Sequence, residues 1–250
     1  MTAGGVVRLV DTWPLAQAAC ARLRTARVIA LDLEGAPLGV CTSLLQLAVA
    51  PDEIYVFDVV ALNTHNNELF SGSQYLRPIL ADPGIRKLCY DGRGDSATLW
   101  DVHGVRVEGL YDLQVVFTSL YQHAHDQYLK GLQHALKCAN LPPHVCRAFA
   151  ERKQRFKRRL AACYQTCCYD DLLRRPLDPE LLAYAAEDVA HLFHLYELWR
   201  PFVNERTVVA VSMERTAAAH NPPQQIMSRL DFSPLRVRRP RFWLHACSGL

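Results

Sequence analysis

The fold of this 250-residue chain is decided by one stretch, RVIALDLEG at residues 27–35. Its first half is almost entirely apolar, which is typical of a strand covered on both faces of a sheet. Side chains alternate along a strand, so Asp32 and Glu34 share one face with Val28 and Ala30. The sequence therefore predicts two carboxylates at the end of a buried strand.

Two neighbouring carboxylates at such a position repel each other and lose hydration unless a cation neutralises them. Hard oxygen ligands of this kind favour Mg²⁺ or Mn²⁺. The same Asp-x-Glu spacing also occurs at Asp178 and Glu180, where capping of a helix start explains it. The pair alone is therefore a weak indication of a metal site.

Two further acids strengthen this interpretation. Asp95 begins a predicted helix directly after the predicted strand Arg86–Tyr90. Tyr184 and Asp188 are four residues apart on a predicted helix, so the phenol and the carboxylate point to the same side. None of the other nine tyrosines has an Asp four residues ahead. Four acids at strand ends and on two helices suit two divalent ions about 4 Å apart, the geometry used for in-line phosphoryl displacement.

The hydrophobic patterning predicts an α/β fold with a mixed β-sheet flanked by helices, because an antiparallel start is followed by a β-α-β unit and then by helices. Strands are predicted at Val6–Val10, Arg27–Glu34, Ser43–Val49, Glu53–Val60, Arg86–Tyr90 and Val105–Tyr111. Helices are predicted near 14–24, 68–80, 94–103, 112–124, 131–139, 143–160, 179–200 and 206–219. We place one domain at 1–205 and a C-terminal extension at 206–250, a helix followed by an Arg/Pro-rich tail that is expected to be loosely ordered.

The composition excludes several classes of protein. Half of the residues are hydrophobic, 21% are charged, and no stretch approaches the roughly 20 apolar residues of a membrane span. The first residues lack a basic leader followed by an apolar block. We therefore expect an intracellular protein, cytoplasmic or nuclear, that is neither secreted nor membrane-bound. No P-loop, nucleophile elbow or dinucleotide glycine pattern competes with the acidic site.

A basic segment at residues 147–159 carries seven Lys and Arg side chains against the single acid Glu151. Basic density of this kind attracts nucleic-acid phosphates, although a solvated helix face is the commoner explanation. The candidates for nucleic-acid binding are Arg152, Lys153, Arg155, Lys157 and Arg158.

Three sequence blocks resemble the three motifs of the DEDD exonuclease superfamily: DLEG at 32–35, DGRGD at 91–95 and LLAYAAEDVAHL at 181–192. The Tyr-x3-Asp spacing resembles the tyrosine branch, DEDDy, which includes ribonuclease D and the Werner-syndrome exonuclease domain. The resemblance covers roughly residues 27–200. The residues of the first two motifs look most similar to those of the egalitarian-like exonuclease 3′-5′ domain-containing proteins.

This resemblance implies a ribonuclease H-like (DnaQ-like exonuclease) fold. It also implies hydrolysis of RNA or single-stranded DNA from the 3′ end with two divalent cations, Mg²⁺ or Mn²⁺. In such a site Asp32 bridges both ions, Glu34 and Asp188 complete the first, and Asp95 helps hold the second. Tyr184 orients the attacking water. The catalytic candidates are thus Asp32, Glu34, Asp95, Tyr184 and Asp188.

Two other hypotheses stay open. The fold is also compatible with a catalytically weak or inactive nucleic-acid-binding or scaffold subunit of an RNA-processing complex, but the complete set of four acids plus Tyr184 favours an enzyme. A scaffold with structural zinc at Cys163, Cys167 and Cys168 is less favoured, because the paired ligand spacings are missing. The extension at 206–250 is a candidate contact for a protein partner.

Overall fold

A mixed β-sheet forms the centre of the computed structural model, which describes residues 6–35, 42–62, 67–121, 129–166 and 170–220. Within the described residues the sheet consists of strands β1 Val6–Val10, β2 Val28–Gly35, β3 Thr42–Ala50, β4 Glu53–Asp58, β5 Arg86–Cys89 and β6 Leu110–Asp112. They lie in the order β1-β4-β3-β2-β5-β6. Strand β3 runs antiparallel to β2 and β4, whereas the remaining neighbours are parallel. The predicted mixed sheet is confirmed, with β2 in its interior.

Helices cover both faces of this sheet. They are α1 Trp13–Leu23, α2 Val59–Leu62, α3 Glu68–Ser71, α4 Leu76–Leu80, α5 Arg93–His103, α6 Leu113–Tyr121, α7 Leu132–Cys138, α8 Pro143–Thr166, α9 Asp170–Leu173, α10 Pro179–Ala190, α11 Leu192–Trp199 and α12 Glu205–His220. Among the described helices, none combines the length and the apolar character needed to cross a membrane.

The alternation of side chains along β2 decides which helices meet the acids. Ile29 and Leu31 face a core shared with α1, α4 and α5. Ala30 faces the opposite core, which α6, α8, α10 and α11 build. Asp32 and Glu34 continue the Ala30 side, so they point toward α10 and α8.

Several predicted elements differ from those observed. The strand predicted at Glu53–Val60 ends at Asp58, where α2 begins, the helix predicted at 179–200 is two helices, α10 and α11, and α9 was not predicted. The strand predicted at Val105–Tyr111 begins only at Leu110, because Gly109 has a φ of 66° and an added Cβ would lie 2.9 Å from the Ile85 carbonyl oxygen. The helix predicted at 68–80 is two short helices, α3 and α4. They are separated at Gly72, whose extended backbone (φ −71°, ψ 140°) ends the first.

Helix α12 follows the boundary predicted at 205/206 and packs against β6 and α5. Its buried Arg215 donates to Asp112 at 2.6 Å, to Asp91 at 3.1 Å and to Gln114. These contacts tie the helix to the sheet, and the division into two segments stays a prediction. The Arg/Pro-rich tail lies in residues 221–250, outside the described residues, and the partner contact of the 206–250 extension stays a prediction.

Candidate active site

Asp32 and Glu34 on β2 meet Asp188 on α10. One carboxylate oxygen from each residue lies within 4.8 Å of the others. We call these three residues the acid triad. Two of them share a strand face, and the third comes from a helix that packs across β2, β3 and β4.

Local sequence explains how α10 is placed. Asp178 caps its start by accepting a hydrogen bond from the Glu180 backbone N–H at 2.8 Å, and Pro179 occupies the first turn. Ala185 and Ala186 are buried, and their small side chains let the helix approach the sheet closely. Tyr184 and Asp188, one turn apart, therefore face the end of β2.

An ion pair between buried Asp58 and half-buried Arg175 anchors the segment that leads into α10. Asp58, at the end of β4, receives two hydrogen bonds from the Arg175 guanidinium, one of them 2.6 Å long. The Arg175 guanidinium also donates to the Leu172 carbonyl at 2.9 Å. The approach of α10 to the sheet is thus fixed from its N-terminal side.

Burial and mutual repulsion raise the pKa values of the triad. Desolvation, with added repulsion from Asp188, raises the pKa of Asp32 to about 7. Desolvation and repulsion from Asp32 and Asp188 hold the pKa of Glu34 well above its usual range. Burial also raises the pKa of Asp188, although Lys153 opposes this shift. Such a group of carboxylates gains stability when a cation joins it.

Asp95 lies in the first turn of α5, and it is not among the three residues whose carboxylate oxygens lie within 4.8 Å of one another. Its carboxylate still interacts electrostatically with the triad. Burial and then repulsion from Asp32 and Glu34 hold the pKa of Asp95 well above its usual range. The preceding turn is held by Asp91, which has a φ of 64° and accepts hydrogen bonds from Arg93 at 2.6 and 2.9 Å.

The donor set of the triad fits a hard divalent cation. The Oδ1 atom of Asp188 is buried and has no hydrogen-bond partner among the described residues. Gln46 lies opposite Asp32 in the β2–β3 register, and its fully buried amide likewise lacks a partner in the described part of the chain. Carboxylate and amide oxygens are the ligands that Mg²⁺ and Mn²⁺ prefer.

Lys153, which the sequence assigns to the basic segment, reaches the triad from α8. Its Nζ donates to Asp188 Oδ2 at 2.5 Å and to the Tyr184 hydroxyl at 3.1 Å. Burial alone lowers the pKa of Lys153, but the charge of Asp188 and the other acids outweighs burial, so the pKa is raised. A spacing signal was available in the sequence, because Phe149, Lys153 and Phe156 lie four and three residues apart, on one helical face.

The other candidates for nucleic-acid binding divide into two groups. Arg152 is paired with Glu187, whose carboxylate lies 3.0 Å from its Nε. Arg155 and Arg158 are exposed on α8. The side chain of Lys157 lies outside the described part of the chain. Contact with nucleic acid stays a prediction for all five residues.

A mixed sheet whose interior strand carries two acids, with a third acid and a tyrosine one turn apart on the helix packed across it, defines the class of ribonuclease H-like nucleases. Residues 7–201 match the family model described as 3′-5′ exonuclease. The chain belongs to this family, and it is a DEDDy-type 3′-5′ exonuclease. The predicted proximity to the egalitarian-like group stays a prediction.

Solved structures support this assignment. Ribonuclease D of Trypanosoma brucei in complex with GMP is 26% identical with a TM-score of 0.68, covering 95% of this chain and 70% of that one. The same enzyme in complex with RNA U12 is also 26% identical, with a TM-score of 0.66, and 90% and 76% of the two chains are covered. Escherichia coli ribonuclease D shares the fold at 18% identity and a TM-score of 0.61, with coverage of 87% and 52%. No curated protein matches the sequence.

Proposed function

We propose that this chain hydrolyses phosphodiester bonds of single-stranded nucleic acid, with RNA as the favoured substrate, stepwise from the 3′ end and with two divalent cations, Mg²⁺ or Mn²⁺. The observation that carries the proposal is the acid triad, with Tyr184 one helical turn from Asp188 and Asp95 close enough to sense the triad charge.

Each side chain has a defined task in this proposal. Asp32 would help hold both cations, Glu34 and Asp188 would complete the residues that hold the first, and Asp95 would contribute to holding the second. When bound, the cations would lower the pKa of the attacking water and stabilise the negative charge that develops on the leaving 3′ oxygen. The Tyr184 hydroxyl lies 3.1 Å from Lys153 Nζ at the edge of the triad, where it orients the water for attack.

The preference for RNA is supported by relatives. The Trypanosoma brucei ribonuclease D, at 26% identity, has been solved in complex with GMP and with RNA U12. On the present chain the exposed Arg155 and Arg158 of α8 lie on the helix that also carries Lys153 into the site. In this proposal they contact the backbone phosphates of the bound strand outside the site, as basic side chains do in sequence-independent binding.

A degradation assay tests the proposal. Single-stranded RNA and DNA of one sequence, labelled at the 5′ end, are incubated with the protein in Mg²⁺, in Mn²⁺ and in EDTA. We expect a ladder that shortens from the 3′ end, fastest on RNA, and that is lost in EDTA and in the Asp188→Ala variant. Shortening from the 5′ end contradicts the proposal, as does intact RNA in both metals. Intact but tightly bound RNA would favour the binding or scaffold subunit.

A further inference from the structure

Lys153 lies between two buried aromatic residues of α8, and its own side chain is 33% exposed. These two neighbours, Phe149 and Phe156, are 2% and 3% exposed. Phe156 stacks on the Tyr184 ring, with 4.5 Å between the ring centroids. A lysine between two core aromatics, in the position of an apolar residue, has to place its ammonium against a specific partner.

That partner is the acid triad. The Nζ atom contacts Asp188 at 2.5 Å and the Tyr184 hydroxyl at 3.1 Å, and it lies 4.7 Å from the centre of the Tyr184 ring. The positive charge also opposes part of the burial-driven rise in the pKa values of Asp32, Glu34 and Asp188, so it acts on all three carboxylates. Lys153 is therefore a counter-ion for the triad as a whole.

A counter-ion at this place competes with a divalent cation. The triad carries up to three negative charges, and Lys153 supplies one positive charge to the oxygen of Asp188 that it contacts. A divalent cation that binds Asp188 together with Asp32 and Glu34 meets the repulsion of the ammonium at short range, where charge–charge energies in protein interiors are large. Either the ammonium leaves Asp188 or the cation binds weakly.

We propose that Lys153 is a positioning residue that acts as the resident counter-ion of the acid triad and is displaced from Asp188 when a divalent cation binds. The inference rests on the proposed function, because it assumes that the triad holds the catalytic cations. In this exchange the ammonium offsets part of the repulsion among the carboxylates while no cation is bound. It also sets the cation concentration at which the site fills.

Binding of Mn²⁺ to the purified protein, followed by isothermal titration calorimetry at fixed pH, tests the exchange without any substrate. The Lys153→Met variant keeps the length of the side chain and removes its charge. We expect it to bind Mn²⁺ about tenfold more tightly than the wild type, since no ammonium has to be displaced. In EDTA the same variant should melt at a lower temperature, because the triad then has no counter-ion.

Arg155→Met is the matched control. It removes the same charge two residues further along α8, from an exposed side chain, and should leave both the Mn²⁺ affinity and the melting temperature in EDTA near those of the wild type. Lys153→Arg keeps the charge and should retain the weaker affinity of the wild type. If Lys153→Met does not fold, as judged by circular dichroism, Lys153→Gln replaces it with the same expected tightening.

The two proposals fail in distinguishable ways. Equal or weaker Mn²⁺ binding by the uncharged variants, in a protein whose wild type degrades RNA with Mn²⁺, overturns the counter-ion inference alone. Tighter binding by these variants, in a protein that never degrades nucleic acid, supports the inference and contradicts the proposed function. Absence of Mn²⁺ binding in the wild type and the variants overturns both.

Discussion

Asp32 carries the pH dependence that follows most directly from the structure. Its pKa is raised to about 7 by burial and then by the charge of Asp188, whereas an Asp in the unfolded chain titrates near 4. Between these values the folded protein binds more protons than the unfolded chain, so the free energy of unfolding should fall as the pH rises from about 4 to about 7 in EDTA. Urea denaturation across this interval measures the slope.

The control for this prediction is Asp32→Asn, which cannot titrate. Its unfolding free energy should depend less steeply on pH over the same interval than that of the wild type. Equal slopes for the two proteins would mean that Asp32 is not the group responsible.

Tyr184 gives a second prediction at the level of one atom. Its hydroxyl is placed to orient the water but is not an expected cation ligand. Tyr184→Phe should therefore slow the hydrolytic step by about 10²-fold, the lower end of what a positioned proton-handling group contributes. Mn²⁺ affinity should stay near that of the wild type. Single-turnover degradation and Mn²⁺ titration measure the two effects, and a loss of Mn²⁺ binding without a change in rate would contradict this role.

At the level of elements, α12 stabilises the turn that precedes Asp95. Arg215 and Asp112 are each 1% exposed, and removing one partner of such a pair leaves a buried charge uncompensated. Arg215→Leu should lower the free energy of unfolding by about 3–5 kcal/mol, measured by urea denaturation. The control is Arg206→Ala at an exposed position of the same helix, expected to stay within about 0.5 kcal/mol of the wild type. A loss below about 1 kcal/mol for Arg215→Leu would mean that the Arg215 ion pairs do not stabilise this turn.

The exposed arginines of α8 lead us to predict that RNA binding weakens as the salt concentration rises. If Arg155 and Arg158 each contact one phosphate, replacing both by Ala should reduce the slope of log K against log salt concentration by about 1.4 for single-stranded RNA. Fluorescence anisotropy in EDTA measures the slope, with Arg106→Ala, an exposed change on a different segment, as the control. An unchanged slope would place the RNA on another face.

The elements differ in how well the sequence predicts them. The helices predicted at 131–139, 143–160 and 206–219 lie close to α7, α8 and α12, because their apolar periodicity persists over several turns. The helix predicted at 179–200 is divided into α10 and α11, and α9 was missed. The 68–80 helix and the 105–111 strand were predicted wrongly at Gly72 and Gly109, where backbone conformation overrides the hydrophobic pattern. A pattern of apolar residues does not contain this information.

At the scale of the whole molecule, the sheet and α10 bring Asp32 and Glu34 together with Asp188 from far along the chain. Spacing alone could suggest the Asp32/Glu34 pair and the Tyr184/Asp188 pair. The resemblance to the DEDD motifs assigned both pairs to one active site. Spacing could place Lys153 on one face of its helix with Phe149 and Phe156. It could not predict which acids Lys153 and Arg215 contact, because this depends on which acids their helices meet after folding. The basic segment of the sequence therefore has several environments: Lys153 contacts Asp188, Arg152 and Arg159 pair with acids, and Arg155 and Arg158 are exposed.

The central claim is that the acid triad performs cation-dependent hydrolysis from the 3′ end. The most direct measurement is the rate at which 5′-labelled single-stranded RNA shortens in Mn²⁺, compared between the wild type and Asp32→Asn. We predict a regular ladder for the wild type and a rate at least about 10³-fold lower for the variant, because one substitution removes the ligand shared by both cations. An Asp32→Asn protein that folds and still shortens the RNA at the wild-type rate would contradict the account.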